Sequence, residues 1–247
     1  MHTHPFVVIS DLPASKGLAR PPYGRVHVAK TTLLDARSAL ELATEAYNEA
    51  MVDTVGDINL GPLREGVLAR ALPGVADVHD VIARAIHDTG VCEAGPAGLS
   101  RCLAAVQRDM DLLASVGAGF HNDCIGHWTS CLFWVLAVDT INVEFVVPHL
   151  GVRLALEVGD LVVFDPSLAH GLCRPADAGC FVREHFEGDS GDEHQAFLSG
   201  TLQLDAAGWA ALRCEWQPAD LPQFAQAVDL AAAAIDQRTG LATADLT

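Results

Sequence analysis

The sequence predicts a mainly β fold with flanking α-helices, and three observations predict it. The texture changes near residue 117: before it, apolar residues recur at helical spacing, and after it aromatic and β-branched residues dominate. In the second part, short apolar runs alternate with polar residues between tight turns, most clearly where Val152, Leu154, Leu156 and Val158 interleave with Arg153, Ala155 and Glu157. The chain has 247 residues, of which 50% are hydrophobic, so a full core can be buried without disulfide or metal staples. No Ser/Gly/Pro linker divides it. The expectation is a single domain over 1–247, with a helical part about 1–116, a β core about 117–205 and a closing helix about 218–238. Many short strands between turns indicate a sandwich or jelly roll.

Thr32-x-x-Asp35 has the form of a capping box, after which Leu33, Ala36, Leu40, Ala43, Tyr47 and Met51 recur at helical spacing to about Val52. A second helical stretch follows Pro62; Pro73-Gly74 interrupts it, and Val75, Val78, Ile82 and Ile86 resume the period. Leu99, Leu103, Val106, Met110 and Leu113 form a further stripe that Gly117 and Gly119 end. From there strands are expected at roughly 128–138, 141–147, 152–158, 161–164, 180–185 and 201–204, with turns at Asp139-Thr140, Pro148, Gly159-Asp160 and 176–179. Beyond Pro218, Phe224, Val228, Ala231 and Ile235 have the period of the closing helix.

The formal charge of −17, from 32 acids against 15 bases, repels a polyanion at long range, so nucleic acid is not an expected partner. Its seven cysteines contain no C-x-x-C pair and read as reduced thiols rather than a disulfide framework or a structural zinc site. The start, Met1-His2-Thr3-His4-Pro5, lacks the basic and apolar regions of a leader, and the longest apolar run, 131–138, is too short to cross a bilayer. A cytoplasmic protein with no membrane partner is the expectation.

Chemistry concentrates at His121-Asn122-Asp123 and at His170, which lies within Gly159-Asp160-Leu161-Val162-Val163-Phe164-Asp165-Pro166-Ser167-Leu168-Ala169-His170-Gly171. A His-x-Asp or His-x-Glu triplet alone says little, since roughly 1.4 are expected by chance at this composition. Two occur. The second, His185-Phe186-Glu187, has no histidine at a long interval after it; His194 follows closely in an acidic, Gly-containing segment. The first has 49 residues before His170, enough for several antiparallel strands to return the chain to the same end of a barrel. Taken singly, His121 and Asp123 have the residue types that cap turns, and His170 that of a hydrogen-bonded loop histidine. Together, two imidazoles and a carboxylate on one face of a metal ion leave the other face open to substrate and oxygen.

With Gly159-Asp160 leading into a strand that ends in Phe164, followed by Pro166 and His170, residues 117 to 190 resemble the 2-oxoglutarate and Fe(II)-dependent oxygenase superfamily. The resemblance implies a double-stranded β-helix core, with His121, Asp123 and His170 as iron ligands and as the catalytic centre. It implies Fe(II) as cofactor, 2-oxoglutarate as cosubstrate and molecular oxygen as co-reactant, with oxidative decarboxylation coupled to hydroxylation of a small molecule. A carboxylate at position 123 disfavours halogenation, because halogenating relatives have a small residue there. The resemblance further implies a basic residue on the strand after the distal histidine to hold the far carboxylate of 2-oxoglutarate. Arg183, within 180–185, is the first candidate and Arg174 the reserve; the hydroxyl residue often found two places after that basic residue is His185 here.

His127 and His149 read as structural histidines, Trp128 and Trp134 as core, and Cys124 and Cys173 as packed thiols beside the ligands. Two other readings stay open. A cupin-like metalloenzyme keeps the barrel and the metal without the oxoacid, although Asp123 stands where the early cupin motif has a histidine. A non-catalytic β-barrel binding module keeps the shape alone. Substrate identity and oligomeric state are not legible in the sequence.

Overall fold

The computed structural model describes residues 23–50, 58–62, 66–75, 77–115, 117–123, 131–140, 144–174, 195–212 and 234–243. Two antiparallel sheets dominate. In chain order the elements are β1 (His27–Lys30), α1 (Ala36–Ala50), β2 (Ile58–Pro62), α2 (Val67–Ala71), α3 (Val78–Asp88), α4 (Pro96–Ala105) and β3 (Asp111–Ser115). There follow β4 (Ala118–His121), β5 (Cys131–Asp139), β6 (Glu144–Val147), β7 (Val152–Ala155), β8 (Asp160–Phe164), β9 (His170–Cys173) and β10 (Gln195–Gln203). The last are α5 (Ala206–Ala211), β11 (Ala234–Ile235) and β12 (Ala242–Thr243). A six-stranded sheet runs β1-β8-β5-β10-β3-β2, a four-stranded sheet runs β4-β9-β6-β7, and β11 pairs with β12.

Period-two alternation assigns the faces of the larger sheet. On β5, Leu132, Trp134, Leu136 and Val138 are buried in one core with Leu42, Ala43 and Ala46 of α1 and Ile82 and Ile86 of α3. The intervening Phe133, Val135 and Ala137 belong to a second core, shared with Phe145 and Val147 of β6 and Val152 of β7. β8 divides in the same way, Leu161 and Val163 towards the helices and Val162 and Phe164 towards the smaller sheet. Helices therefore cover one face of the larger sheet, and the smaller sheet covers the other. Each fully buried Leu, Ile or Val contributes about 1.5–3 kcal/mol relative to exposure.

Asp35 caps α1: its backbone carbonyl accepts from Ala39 N–H at 2.9 Å and its carboxylate from Ser38 N–H at 2.7 Å. Thr32 is therefore not the cap, and the buried stripe is Ala39, Leu42, Ala43 and Ala46, which leaves Leu40 67% exposed. Asp77 caps α3, its side chain accepting from Asp80 N–H, and α4 begins with Pro96 at its first position. At Gly159, φ of +87° carries the chain through the expected turn into β8, with Thr31 N–H donating to its carbonyl at 2.8 Å.

Several expectations are corrected. The stripe from Leu99 to Leu113 is not one helix: α4 ends at Ala105, Val106 is extended and bridges Leu202, and Asp111–Ser115 pairs with β10 and β2. Leu112 and Ala114 face the helical core while Leu113 faces the other, so a strand period lay under the helical one. The part before residue 117 also supplies β1 and β2, so it is not wholly helical. Strand β7 stops at Ala155, and β10 starts six residues before the expected run at 201–204. Ala234–Ile235 pairs with Ala242–Thr243, so the closing helix does not extend to 238; residues 218–233, and the expected strand 180–185, lie outside the described residues.

Candidate metal centre

His121 ends β4, and His170 begins β9 directly opposite it in the antiparallel register. Cross-strand partners bring side chains on one face into contact, and the two imidazole centroids are 4.5 Å apart. Asp123 lies two residues beyond β4, where its N–H donates to Pro166 O at 2.8 Å. Donor atoms of His121, Asp123 and His170 all lie within 4.8 Å of one another, and His170 Nε2 is 3.4 Å from Asp123 Oδ2. Ligand atoms about 2.1 Å from a common ion stand about 3 Å apart on an octahedral face, so small movements suffice to close the set.

Both rings are oriented by backbone. Nδ1 of His121 is 2.7 Å from Gly119 O, and Nδ1 of His170 is 2.8 Å from Leu168 O. A carbonyl only accepts, so Nδ1 carries a proton in each ring and Nε2 is the nitrogen left available to a metal ion. His170 is buried beneath the rings of Phe164 and Phe145, at 4.8 and 6.1 Å between centroids. Burial pushes the Asp123 carboxyl up, but the contact with His170 and the electrostatic pull of His170 and His121 outweigh it and hold the carboxyl below its usual range. The centre favours an anionic ligand between two imidazoles.

The turn between β8 and β9 places two of these groups at once. Asp165, 1% exposed, accepts from Ser167 N–H at 2.9 Å and from Tyr23 N–H. Its neighbours Pro166 and Leu168 then supply the carbonyls that fix Asp123 and His170. Sequence reading passed over Asp165, although Asp-Pro-Ser after a strand is an Asx-turn signal. A second support comes from the hairpin of β11 and β12. Gln237 Nε2 donates to Phe120 O at 2.6 Å, on β4, the strand at the edge of the smaller sheet.

The three residues open on a cavity of about 260 Å³ between the sheets. Phe133, Phe145, Phe164, Phe197, Leu113 and Val135 make it largely apolar, with Asp111, Ser199 and Thr201 the other polar side chains besides the triad. Among the described residues that line it there is no Arg or Lys. Arg174 directly follows β9 and is not part of the lining; Arg183 lies outside the described residues, as do Cys124, His127, Trp128, His185 and His194. His149 is 2% exposed, and burial lowers its pKa to about 4, so it is a neutral core residue that does not line the cavity. Trp134 is fully buried as expected, and Cys173 is buried with its thiol pushed up to about 12, first by burial.

No protein-family model and no curated protein sequence matches the chain. Among solved structures it is similar to the viral collagen prolyl hydroxylase of Paramecium bursaria Chlorella virus-1 in its 2-oxoglutarate complex. That match has 10% identity, a TM-score of 0.42 and coverage of 73% of this chain and 96% of that one. It is also similar to SnoN, a non-haem α-ketoglutarate-dependent epimerase of nogalamycin biosynthesis, at 15% identity and a TM-score of 0.41 over 74% and 80% of the two chains. A Pseudomonas putida prolyl-4-hydroxylase matches at 14% identity and a TM-score of 0.37 over 73% and 94%. Among the described residues, no helix is long and apolar enough to cross a membrane.

Proposed function

We propose that the chain is a non-haem Fe(II) oxygenase that couples oxidative decarboxylation of 2-oxoglutarate to hydroxylation of a small molecule, on a double-stranded β-helix core. The observation that carries this reading is the convergence of two backbone-oriented imidazoles and one carboxylate at the mouth of an apolar cavity. Two nitrogens and one oxygen on a single face are the donor set of a non-haem Fe(II) centre with positions left for other ligands, and the residues fit it. Bound there, Fe(II) with 2-oxoglutarate supplies the oxygen-activating chemistry.

The chain's own groups do the rest. His121 and His170 present Nε2, and Asp123 offsets part of the metal's charge. Gly119, Leu168 and Pro166 hold all three through their carbonyls, so little reorganisation accompanies binding. Phe145 and Phe164 pack on His170 and keep water from its inner side. In this reading Arg183 grips the far carboxylate of 2-oxoglutarate, with Arg174 as the reserve, and the phenylalanine-lined space confines the reaction. Purified protein loaded with Fe(II) in air is expected to convert 2-oxoglutarate to succinate, and His170→Ala to abolish it. Failure of the loaded wild type to bind 2-oxoglutarate at all would overturn the cosubstrate.

A second reading keeps the metal and omits the oxoacid, as in a cupin-like enzyme. It is favoured by one observation: neither the described cavity lining nor β10, the next described strand after β9, carries an Arg or Lys. Calorimetry on the metal-loaded protein separates the two: 2-oxoglutarate affinity that Arg183→Ala or Arg174→Ala loses supports the first, and metal binding without any 2-oxoglutarate affinity in the wild type supports the second.

A further inference from the structure

Away from the triad, the described residues bring together a second set of metal-ligating side chains: Asp77, His79 and Asp80, at the start of α3. One donor atom from each lies within 4.8 Å of the other two. His79 sets this cluster apart from an ordinary pair of surface carboxylates, because it is 8% exposed and its Nε2 is 2.7 Å from Val106 O. A carbonyl only accepts, so Nε2 carries a proton. The other ring nitrogen, Nδ1, is shielded from solvent and has no hydrogen-bond partner among the described residues. It faces Asp80 Oδ1 at 3.5 Å.

In neutral His79, Nδ1 presents a lone pair, and a carboxylate presents only lone pairs, so two acceptors confront each other where water does not reach one of them. A cation between them relieves this. Zinc ligands stand about 2.0–2.2 Å from the ion, which at tetrahedral angles separates them by about 3.4 Å. The spacing from His79 Nδ1 to Asp80 Oδ1 already matches it. Two groups oppose a cation here. Arg108 Nη1 is 3.4 Å from Asp77 Oδ2, but its side chain is 71% exposed, so that pair is screened by water and readily exchanged. The helix N-terminus carries a partial positive charge, which the two carboxylates offset.

We propose that Asp77, His79 and Asp80 form a second metal site, for Zn(II) or a similar borderline divalent ion, with His79 Nδ1 and one oxygen of each carboxylate as ligands and water completing the tetrahedron. The bond from His79 Nε2 to Val106 O orients the ring, as backbone carbonyls orient His121 and His170. Val106 caps the end of α4 and bridges Leu202 of β10, so the ion ties the first turn of α3 to the larger sheet. This site shares no residue with the triad and is independent of the Fe(II) reading.

Zn(II) uptake by the full chain, read by competition with a chromophoric chelator, tests the assignment. The wild type is expected to take up one equivalent more than Asp80→Ala and one more than Asp77→Ser. That difference holds whether the triad binds zinc, giving two against one, or does not, giving one against none. Serine at position 77 keeps an oxygen to cap α3 while removing the carboxylate, so loss of zinc there does not come from a frayed helix. Arg108→Ala removes the competing cation and is expected to tighten binding about 2–5-fold. Equal uptake by the wild type, Asp80→Ala and Asp77→Ser would overturn the site, and it is the result expected if a proton on His79 takes the place of the metal. Binding no tighter in Arg108→Ala would overturn the assignment of Asp77.

Discussion

Replacing Asp165 tests whether one buried carboxylate positions the metal ligands. It accepts from the backbone N–H groups of Tyr23 and Ser167, and a hydrogen bond to a charged group is worth about 1.5–3 kcal/mol. Asp165→Ala removes both and is expected to cost about 3–6 kcal/mol. In Asp165→Asn one oxygen still accepts, but the amide nitrogen then faces a backbone N–H, and two donors meet at a site that is 1% exposed. That orphaned donor costs about 1–3 kcal/mol beyond the weakened bond, so a loss of about 2–4 kcal/mol is expected. Because Pro166 and Leu168 carry the carbonyls that hold Asp123 and His170, metal affinity is expected to fall about 10–100-fold in both variants. Urea unfolding reads the first effect, and Co(II) titration of the folded variant reads the second. Reduced stability with unchanged metal affinity would refute the positioning role; wild-type values for Asp165→Asn in both would refute the account of the turn.

At a proposed ligand, Asp123→Ala is expected to lower metal affinity at least about 100-fold in the same titration, with a smaller loss of stability. Arg183→Ala is expected to weaken 2-oxoglutarate binding about 10–100-fold by calorimetry while leaving Co(II) binding intact, as the proposed hold of a guanidinium on the far carboxylate requires. Gly200→Ala is expected to cost about 1–3 kcal/mol in urea, because a Cβ there lies 2.6–2.9 Å from the indole atoms of Trp134 on the paired strand. Burial lowers the pKa of both His27 and His149 to about 4, helped at His27 by the charge of Arg25 and opposed by its hydrogen bond to Thr89. Well above pH 6.5 both are neutral folded or unfolded and contribute no pH dependence. Below it the unfolded chain takes up protons that the folded chain refuses, so each is expected to remove about 2 kcal/mol of stability between pH 7 and 5. His149→Leu should remove its share of that slope.

The site was legible where local chemistry announces it. Gly159-Asp160 turns into β8 as expected, Phe164 and Pro166 end that strand, and His170 begins the next, opposite His121. Alternation was readable wherever the two faces differ in polarity, as on β7. It was not readable on β3, because Leu113 happens to continue a helical period set by Leu99, Leu103, Val106 and Met110. Pairing with β10 on one side and β2 on the other prevails there over that local pattern. Leu40 misled for the opposite reason: Leu42, two positions on, takes the buried face and Leu40 turns to solvent. The turn at Asp165-Pro166-Ser167 carried a local signal, but the long-range contacts that support the triad could not be read. Asp165 meets Tyr23 across 142 residues and Gln237 meets Phe120 across 117, and such contacts exist only once the sheets have closed.

The most direct test of the central claim is a crystal structure of the chain soaked with Mn(II) and 2-oxoglutarate. One metal ion is expected in the cavity, bound by His121 Nε2, His170 Nε2 and an Asp123 oxygen, with the oxoacid chelating it and Arg183 on the far carboxylate. A metal bound only elsewhere, or this cavity empty of metal under conditions that saturate the protein, would contradict the claim.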